Sequence, residues 1–300
     1  MDTSSPLRER MAAYVRDLQD SICTAIETLD GAAQFREDRW ERPGGGGGFA
    51  RVITDGAVFE KGGVNTSEVH GELPAKLAER MGVERAEFFA TGISLVLHPI
   101  SPRVPTVHAN FRYFEQSNGD AWFGGGADLT PYIADEADGT HFHRTLKDAA
   151  DPFGAELYPK FKKWCDEYFF IKHRGESRGV GGVFYDYLRG TPEEMERHFA
   201  FQQSMGNAFL PAYIPIAERH KDESFSEREK KFQLLRRGRY VEFNLVYDRG
   251  TTFGLETQGR TESILMSLPP VVNFDYDAPM ETTNSEKLLT SWLREPREWA

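Results

Sequence analysis

The chain has little cysteine, no long apolar run and too few basic residues to balance its acids. Cys23 and Cys165 are the only cysteines in 300 residues. They lie far apart in sequence, which excludes a CxxC centre and a disulfide framework and fits buried thiols in a reducing compartment. No apolar stretch approaches the roughly 20 residues of a membrane helix, and the start MDTSSPLRERM has no apolar signal segment. The expectation is a cytoplasmic protein without a membrane span. Lys and Arg number 36 against 47 Asp and Glu, a formal charge of −11. Such a surface repels nucleic acid and anionic membranes, so an anionic substrate has to be captured by local arginines.

Nucleotide and metal signatures are also missing. The five glycines Gly44 to Gly48 superficially fit a phosphate-covering loop, but no VAIK-type lysine, HRD or DFG accompanies them and no GK[ST] follows. They read as a loop before a hairpin. None of the eight histidines sits in an HExxH or comparable ligand spacing, which argues against a closed structural zinc site. A looser divalent site assembled from distant segments stays open, since His98 and His108 fall on neighbouring strands and His141 and His143 are two apart.

What is present is enough for a large core: 39% hydrophobic and 13% aromatic residues. We read one domain over residues 1–300. Apolar residues at three- and four-residue spacing from Met11 to Leu29, followed by Gly31, predict an amphipathic helix with a C-terminal stop. Asp55-Gly56 predicts a hairpin turn between two β-prone runs. Segments 93–99 and 106–115 read as strands. A helix is predicted over about 155–172, with Phe161, Trp164, Cys165, Tyr168 and Ile171 as its stripe. Capping boxes at Thr191 and Ser226 announce two more helices, the second ending at Gly238. Tyr240 to Tyr247 alternates like a strand, with Glu262 to Leu268 as its partner. This mixed order predicts an α+β fold with a large, mainly antiparallel sheet.

Period-2 alternation places His108, Asn110 and Arg112 on one strand face and Val107, Ala109, Phe111 and Tyr113 on the other. By the same rule Ser94, Val96 and His98 share a face. Three polar residues facing one way make a poor core and a good site, because burying a charge without a partner is costly. The run FGGGADLTPY (123–132) then offers close backbone approach to a ligand and a carboxylate, Asp128, although an Asp-capped turn explains it equally well. Among the arginines, Arg260 is best placed to fork onto a carboxylate from a loop.

HANFRYFE (108–115), FGGGADLTPY (123–132), KKWCDEYFFIKHRGESRGVGGVFYD (162–186) and RRGRYVEFNLVYDRGTTFGLETQGRTESILMSLPP (236–270), with WERPGGGG and VFEKGGVN, closely resemble the oxygen-dependent coproporphyrinogen III oxidases. The resemblance covers Trp40 to Pro270. It implies a broad antiparallel sheet flanked by helices on both faces, a homodimer with its contact region from Tyr240 to about Phe274, and heme biosynthesis as the process. The implied reaction is oxidative decarboxylation of the ring A and B propionates of coproporphyrinogen III to vinyls, with O2 as co-substrate and protoporphyrinogen IX as product. No organic cofactor is implied, while divalent cations are invoked for bacterial members. Asp128 matches the residue that meets the pyrrole N–H groups and His108 the general acid/base. Ser94, Asn110, Phe111, Arg112, Gln258, Gly259 and Arg260 match substrate-contacting positions, and His98, His108, His143 and His173 the histidines linked to metal. Tyr187 stands where many relatives carry a second Asp, Ala127 replaces a larger residue and Gln258 replaces a Gly. The competing readings are a non-catalytic tetrapyrrole-binding protein, which needs the arginines but not Asp128, and a histidine-metal hydrolase.

Overall fold

The computed structural model describes residues 5–73, 87–256 and 259–300. The first element follows from its apolar spacing. Helix α1 (Leu7–Asp30) buries Met11, Tyr14, Val15, Leu18, Ile22, Ile26 and Leu29, and Gly31 closes it in the left-handed conformation at φ 73°. Each such side chain removed from water stabilises the fold by ~1.5–3 kcal/mol. This stripe lies on a seven-stranded sheet whose described strands all pair antiparallel: β1 (Arg36–Glu41), β2 (Gly46–Thr54), β3 (Phe59–Glu72), β4 (Glu87–Pro99), β5 (Thr106–Gln116), β6 (Ala121–Thr130) and β9 (Gly181–Leu188). The order is sequential until β6. There the chain inserts α2 (Glu136–Ala150), α3 (Leu157–Tyr168) and the small hairpin β7 (Phe170–Ile171) and β8 (Glu176–Ser177) before β9 joins the edge.

The odd-numbered side of β5 carries Val107, Ala109, Phe111 and Tyr113 into one core with α1 and the long helix α4 (Pro192–His220). The opposite face is covered in part by α5 (Glu227–Val246), where Tyr240 stacks edge-on against His98. Helices therefore flank both faces, as expected. The two capping boxes are present, at Thr191 and Ser226, and the β2–β3 turn falls at Asp55, with φ 55°.

Several expectations need correction. Gly46 to Gly48 are not loop but the start of β2. A Cβ on Gly48 would lie 2.7 Å from the Trp40 ring, so the bare strand leaves room for the indole of its neighbour. The 123–132 run is strand β6 through Thr130, wedged between β5 and β9. The predicted helix over 155–172 ends at Tyr168, and Ile171 belongs to β7. Gly238 does not stop α5: its missing side chain admits the carbonyl of Asn273, 2.8 Å from where a Cβ would stand. The predicted strand Tyr240 to Tyr247 is the end of this helix. Tyr240 and Phe243 face inward while Leu245 and Val246 remain exposed, so apolar residues occur on more than one side and blur the helical period. A further helix, α6 (Arg249–Glu256), follows it. The supposed partner strand is a short helix, α7 (Thr261–Leu265), and the turns after it. This segment crosses the sheet face without joining a ladder. Its carbonyls at Ser263, Ser267 and Leu268 meet the side chains of Asn65, His98 and Lys61 instead.

Candidate active site

Register decides which side chains meet. Directly opposed residues of an antiparallel pair point to the same face, and three rows result. Val96, His108 and Asp128 form one, Ser94, Asn110 and Gly126 the next, and Gly92, Arg112 and Gly124 the third. Gly63 and Asn65 extend the first two rows on β3. Four of these eleven positions are glycine, and polar groups rise beside them at Asn65, Ser94, His108, Asn110 and Arg112.

One corner is dry and fully paired. Asp128 is 1% exposed. Its Oδ1 lies 2.7 Å from His108 Nδ1, and Arg178 Nη2 donates to both carboxylate oxygens at 3.0 and 3.1 Å. Arg178 is itself 3% exposed, bonds Asn244 Oδ1 through Nη1 at 2.7 Å, and stacks its guanidinium on Phe169 and Tyr240. Burial alone would raise the Asp128 pKa; the Arg178 charge and the His108 hydrogen bond outweigh it and hold the carboxyl below its usual range. An ionised Asp128 accepts, so His108 carries its proton on Nδ1 and is left with Nε2 for proton exchange. The His108 side chain is 21% exposed.

The opposite end of the floor is wetter. Arg112 is held by Asn110 Oδ1 through Nη1 at 2.8 Å and by Asp186 Oδ2 through Nη2 at 2.8 Å. Arg260, at the start of α7, pairs with Asp38 of β1. Ser94 is half-buried between Asn65 and Asn110. Gly259 is exposed, its N–H donating to the carbonyl of Gly254. Gln258 lies outside the described residues. Phe111 stands apart: its side chain is fully buried in the core on the other side of the sheet.

The four histidines expected at a metal are not brought together. His98 is fully buried, with Nε2 at 2.9 Å from the Ser267 carbonyl. His143, equally buried, sits between Tyr158 Oη at 2.9 Å and the Val180 carbonyl at 3.1 Å. Burial pushes both imidazoles down to about 3. His173 is exposed at the surface and bridges Tyr247 and Glu242. Among the described residues, only Asp135, Asp138 and His220 place three possible donor atoms within 4.8 Å of one another, and none of the four histidines is among them. Within the chain these four side chains do not fit one metal ion.

Two partners escape the sequence. Nothing in the sequence singles Arg178 out from the other arginines, and Asp186 carries no signal of its own. Only the pairing of β6 with β9 and the docking of α5 bring them to Asp128 and Arg112.

The family Coproporphyrinogen III oxidase matches residues 10–299. The chain belongs to this family. A protein of Prochlorococcus marinus (strain MIT 9313) named oxygen-dependent coproporphyrinogen-III oxidase is 50% identical, the match covering 97% of this chain and 90% of that one. Another of that name, from the SARG strain of Prochlorococcus marinus, is 49% identical over 99% of this chain and 93% of its own length. Among the described residues no helix is long and apolar enough to cross a membrane.

Proposed function

We propose that this protein converts coproporphyrinogen III to protoporphyrinogen IX by oxidative decarboxylation, with O2 as oxidant. The observation that carries the reading is the distance between two kinds of group on one face. His108 and Arg112 are four residues apart on β5, about 13 Å along the strand. That is the scale of a whole tetrapyrrole, with a proton-handling group at one side and a carboxylate anchor at the other.

The chemistry asks little of the protein. For each arm, a propionate CH2–CH2–COO− plus O2 and H+ becomes a vinyl group, CO2 and H2O2. The two electrons leaving the carbon skeleton reduce O2. Loss of a pyrrole N–H proton makes the electron-rich macrocycle more reducing, and the group that takes it needs a fixed tautomer. Asp128 supplies this by holding His108 through Nδ1, which leaves Nε2 as the acceptor. Asp128 itself acts through His108, since both its oxygens are occupied by Arg178 and His108. Arg112 and Arg260 hold propionates by charge-assisted pairs. Ser94 and Asn110 complete the floor, with Gly259 beside Arg260.

The reading extends to assembly. We take residues 1–300 as one domain working as a cytoplasmic homodimer. Two free, buried cysteines support a reducing compartment. Of ten exposed large hydrophobics among the described residues, seven lie between Leu245 and Tyr276, an apolar strip of the kind that subunit contacts cover. Sedimentation at a range of concentrations tests this; a monomer throughout rules the dimer out.

The test of function is direct. Supply coproporphyrinogen III under air and in its absence, oxidise the product, and measure protoporphyrin fluorescence. Oxygen-dependent product is expected; none above the uncatalysed control refutes the proposal and leaves a tetrapyrrole-binding role.

A further inference from the structure

Arg112 does not meet the floor as a bare cation. Asp186 Oδ2 lies 2.8 Å from its Nη2, and the pair rests on the sheet where residue 124 has no side chain. A Cβ on Gly124 would come within 2.5 Å of Asp186 Oδ1 and 2.9 Å of Arg112 Nε and Nη2. The carboxylate is aimed by strained backbone. Tyr187, the next residue, has φ 55° and donates its N–H to Asp186 Oδ1 at 2.9 Å. Its ring packs on Trp122, and the Arg189 guanidinium lies over both rings. A non-glycine residue keeps such a conformation where its surroundings over-determine it. Arg260, from the far end of the chain, is likewise paired with an aspartate, Asp38. Both arginines assigned to propionates thus carry a protein carboxylate, and both remain part-exposed, at 35% and 26%.

We propose that Asp186 and Asp38 are specificity-determining residues that compete with substrate propionates for Arg112 and Arg260. This rests on the function proposed above. A guanidinium neutralised by a carboxylate offers a neutral arm almost nothing. It offers a single incoming carboxylate an exchange of one ion pair for another, or a shared cation with like charges side by side. Neither is a strong net gain against an aspartate tethered next to the arginine. A ligand that presents carboxylates to both arginines makes two exchanges for one loss of translational freedom. Discrimination then comes from a built-in rival as well as from attraction, which is how repulsive elements sharpen specificity. Asn110 contributes the other half of the arrangement: its bond to Nη1 keeps Arg112 in place while Asp186 is displaced.

The test uses coproporphyrin III, the oxidised tetrapropionate macrocycle, as a probe outside the reduced substrate state, and protoporphyrin IX, which has two propionates. Asp186→Asn keeps shape and an acceptor oxygen but removes the charge. Titration by fluorescence should show coproporphyrin III binding about tenfold tighter than in wild type, with the preference over protoporphyrin IX narrowed. Asp38→Asn should act in the same direction. If Asp186 merely held Arg112 in shape, binding would weaken or stay unchanged, and either result overturns the proposal. Should Asp186→Asn fail to fold, Asp38→Asn decides it by the same criteria. Wild-type turnover of coproporphyrinogen III in the same preparations separates the two levels. Wild-type protein that neither binds nor converts removes the functional reading, whereas wild-type activity with no tightening in the variants removes only the competition.

Discussion

Two arginine–aspartate pairs stand on one sheet face and differ in almost everything except chemistry. Arg178–Asp128 is sealed, with side chains 3% and 2% exposed, and both carboxylate oxygens are taken by the guanidinium. Arg112–Asp186 is open, at 35% and 17%. Desolvation makes the first pair hard to separate, because either partner alone is an uncompensated buried charge. Water and salt weaken the second, so it can exchange partners. In the proposed function the sealed pair fixes a proton and the open pair exchanges charged arms.

The largest effect should come from breaking the sealed pair. Arg178→Ala leaves Asp128 buried without its main counter-charge and should lower stability by about 3–5 kcal/mol, read from urea unfolding, with product formation lost. Arg178→Lys should not restore it, since an ammonium cannot reproduce the fork. An unchanged unfolding midpoint in either variant would erase the distinction between the pairs.

Asp128→Asn comes next. Without an ionised acceptor at Nδ1 the His108 tautomer is no longer fixed, and kcat should fall about 10²–10⁴-fold with a smaller change in KM. The acid side sharpens this. The folded pKa of Asp128 lies below its ordinary value, so its stabilising contribution is present above the unfolded carboxylate pKa near 3.9 and is lost as pH falls through the folded value. The stability difference between wild type and variant should stay level from about pH 7 to 5 and shrink only below about 4. A loss centred near neutral pH would contradict the assignment.

For the open pair, Arg112→Ala should raise KM roughly 10- to 100-fold, by loss of a charge-assisted pair. Raising ionic strength from about 0.05 to 0.5 M should reduce that effect while leaving the Arg178→Ala defect unchanged. Equal salt sensitivity would break the comparison. The smallest effect should be at the surface cluster around His173. Burial raises the Glu242 pKa, but Arg174, His173 and Arg239 bring it down to about 2. Glu242→Gln should cost about 1 kcal/mol or less at pH 7. The difference should fade as pH falls from about 4.5, the unfolded value, towards 2, with turnover little changed.

Legibility follows the range of the interaction. Helix α1, its Gly31 stop and the two capping boxes depend on residues within a turn or two of each other, and all are readable from the chain. The same holds for the shared face of His108, Asn110 and Arg112, which strand alternation alone requires. The end of α5 reads as a strand because a helix with apolar residues on more than one side loses its period, and the 262–268 segment misleads because side chains, not a ladder, tie it to the sheet. Motif resemblance points to His108, Asp128 and the two arginines, yet also groups four histidines that the fold keeps apart.

By itself the sequence determined an acidic α+β protein of the coproporphyrinogen III oxidase family, with one strand face too polar to be core. The tertiary structure alone decided who pairs with whom. Arg178 reaches Asp128 across 50 residues, Asp186 reaches Arg112 across 74, and Asp38 reaches Arg260 across 222. Charges are visible in a sequence, but burial and partners, which set whether a pair is fixed or exchangeable, depend on strand register and helix docking.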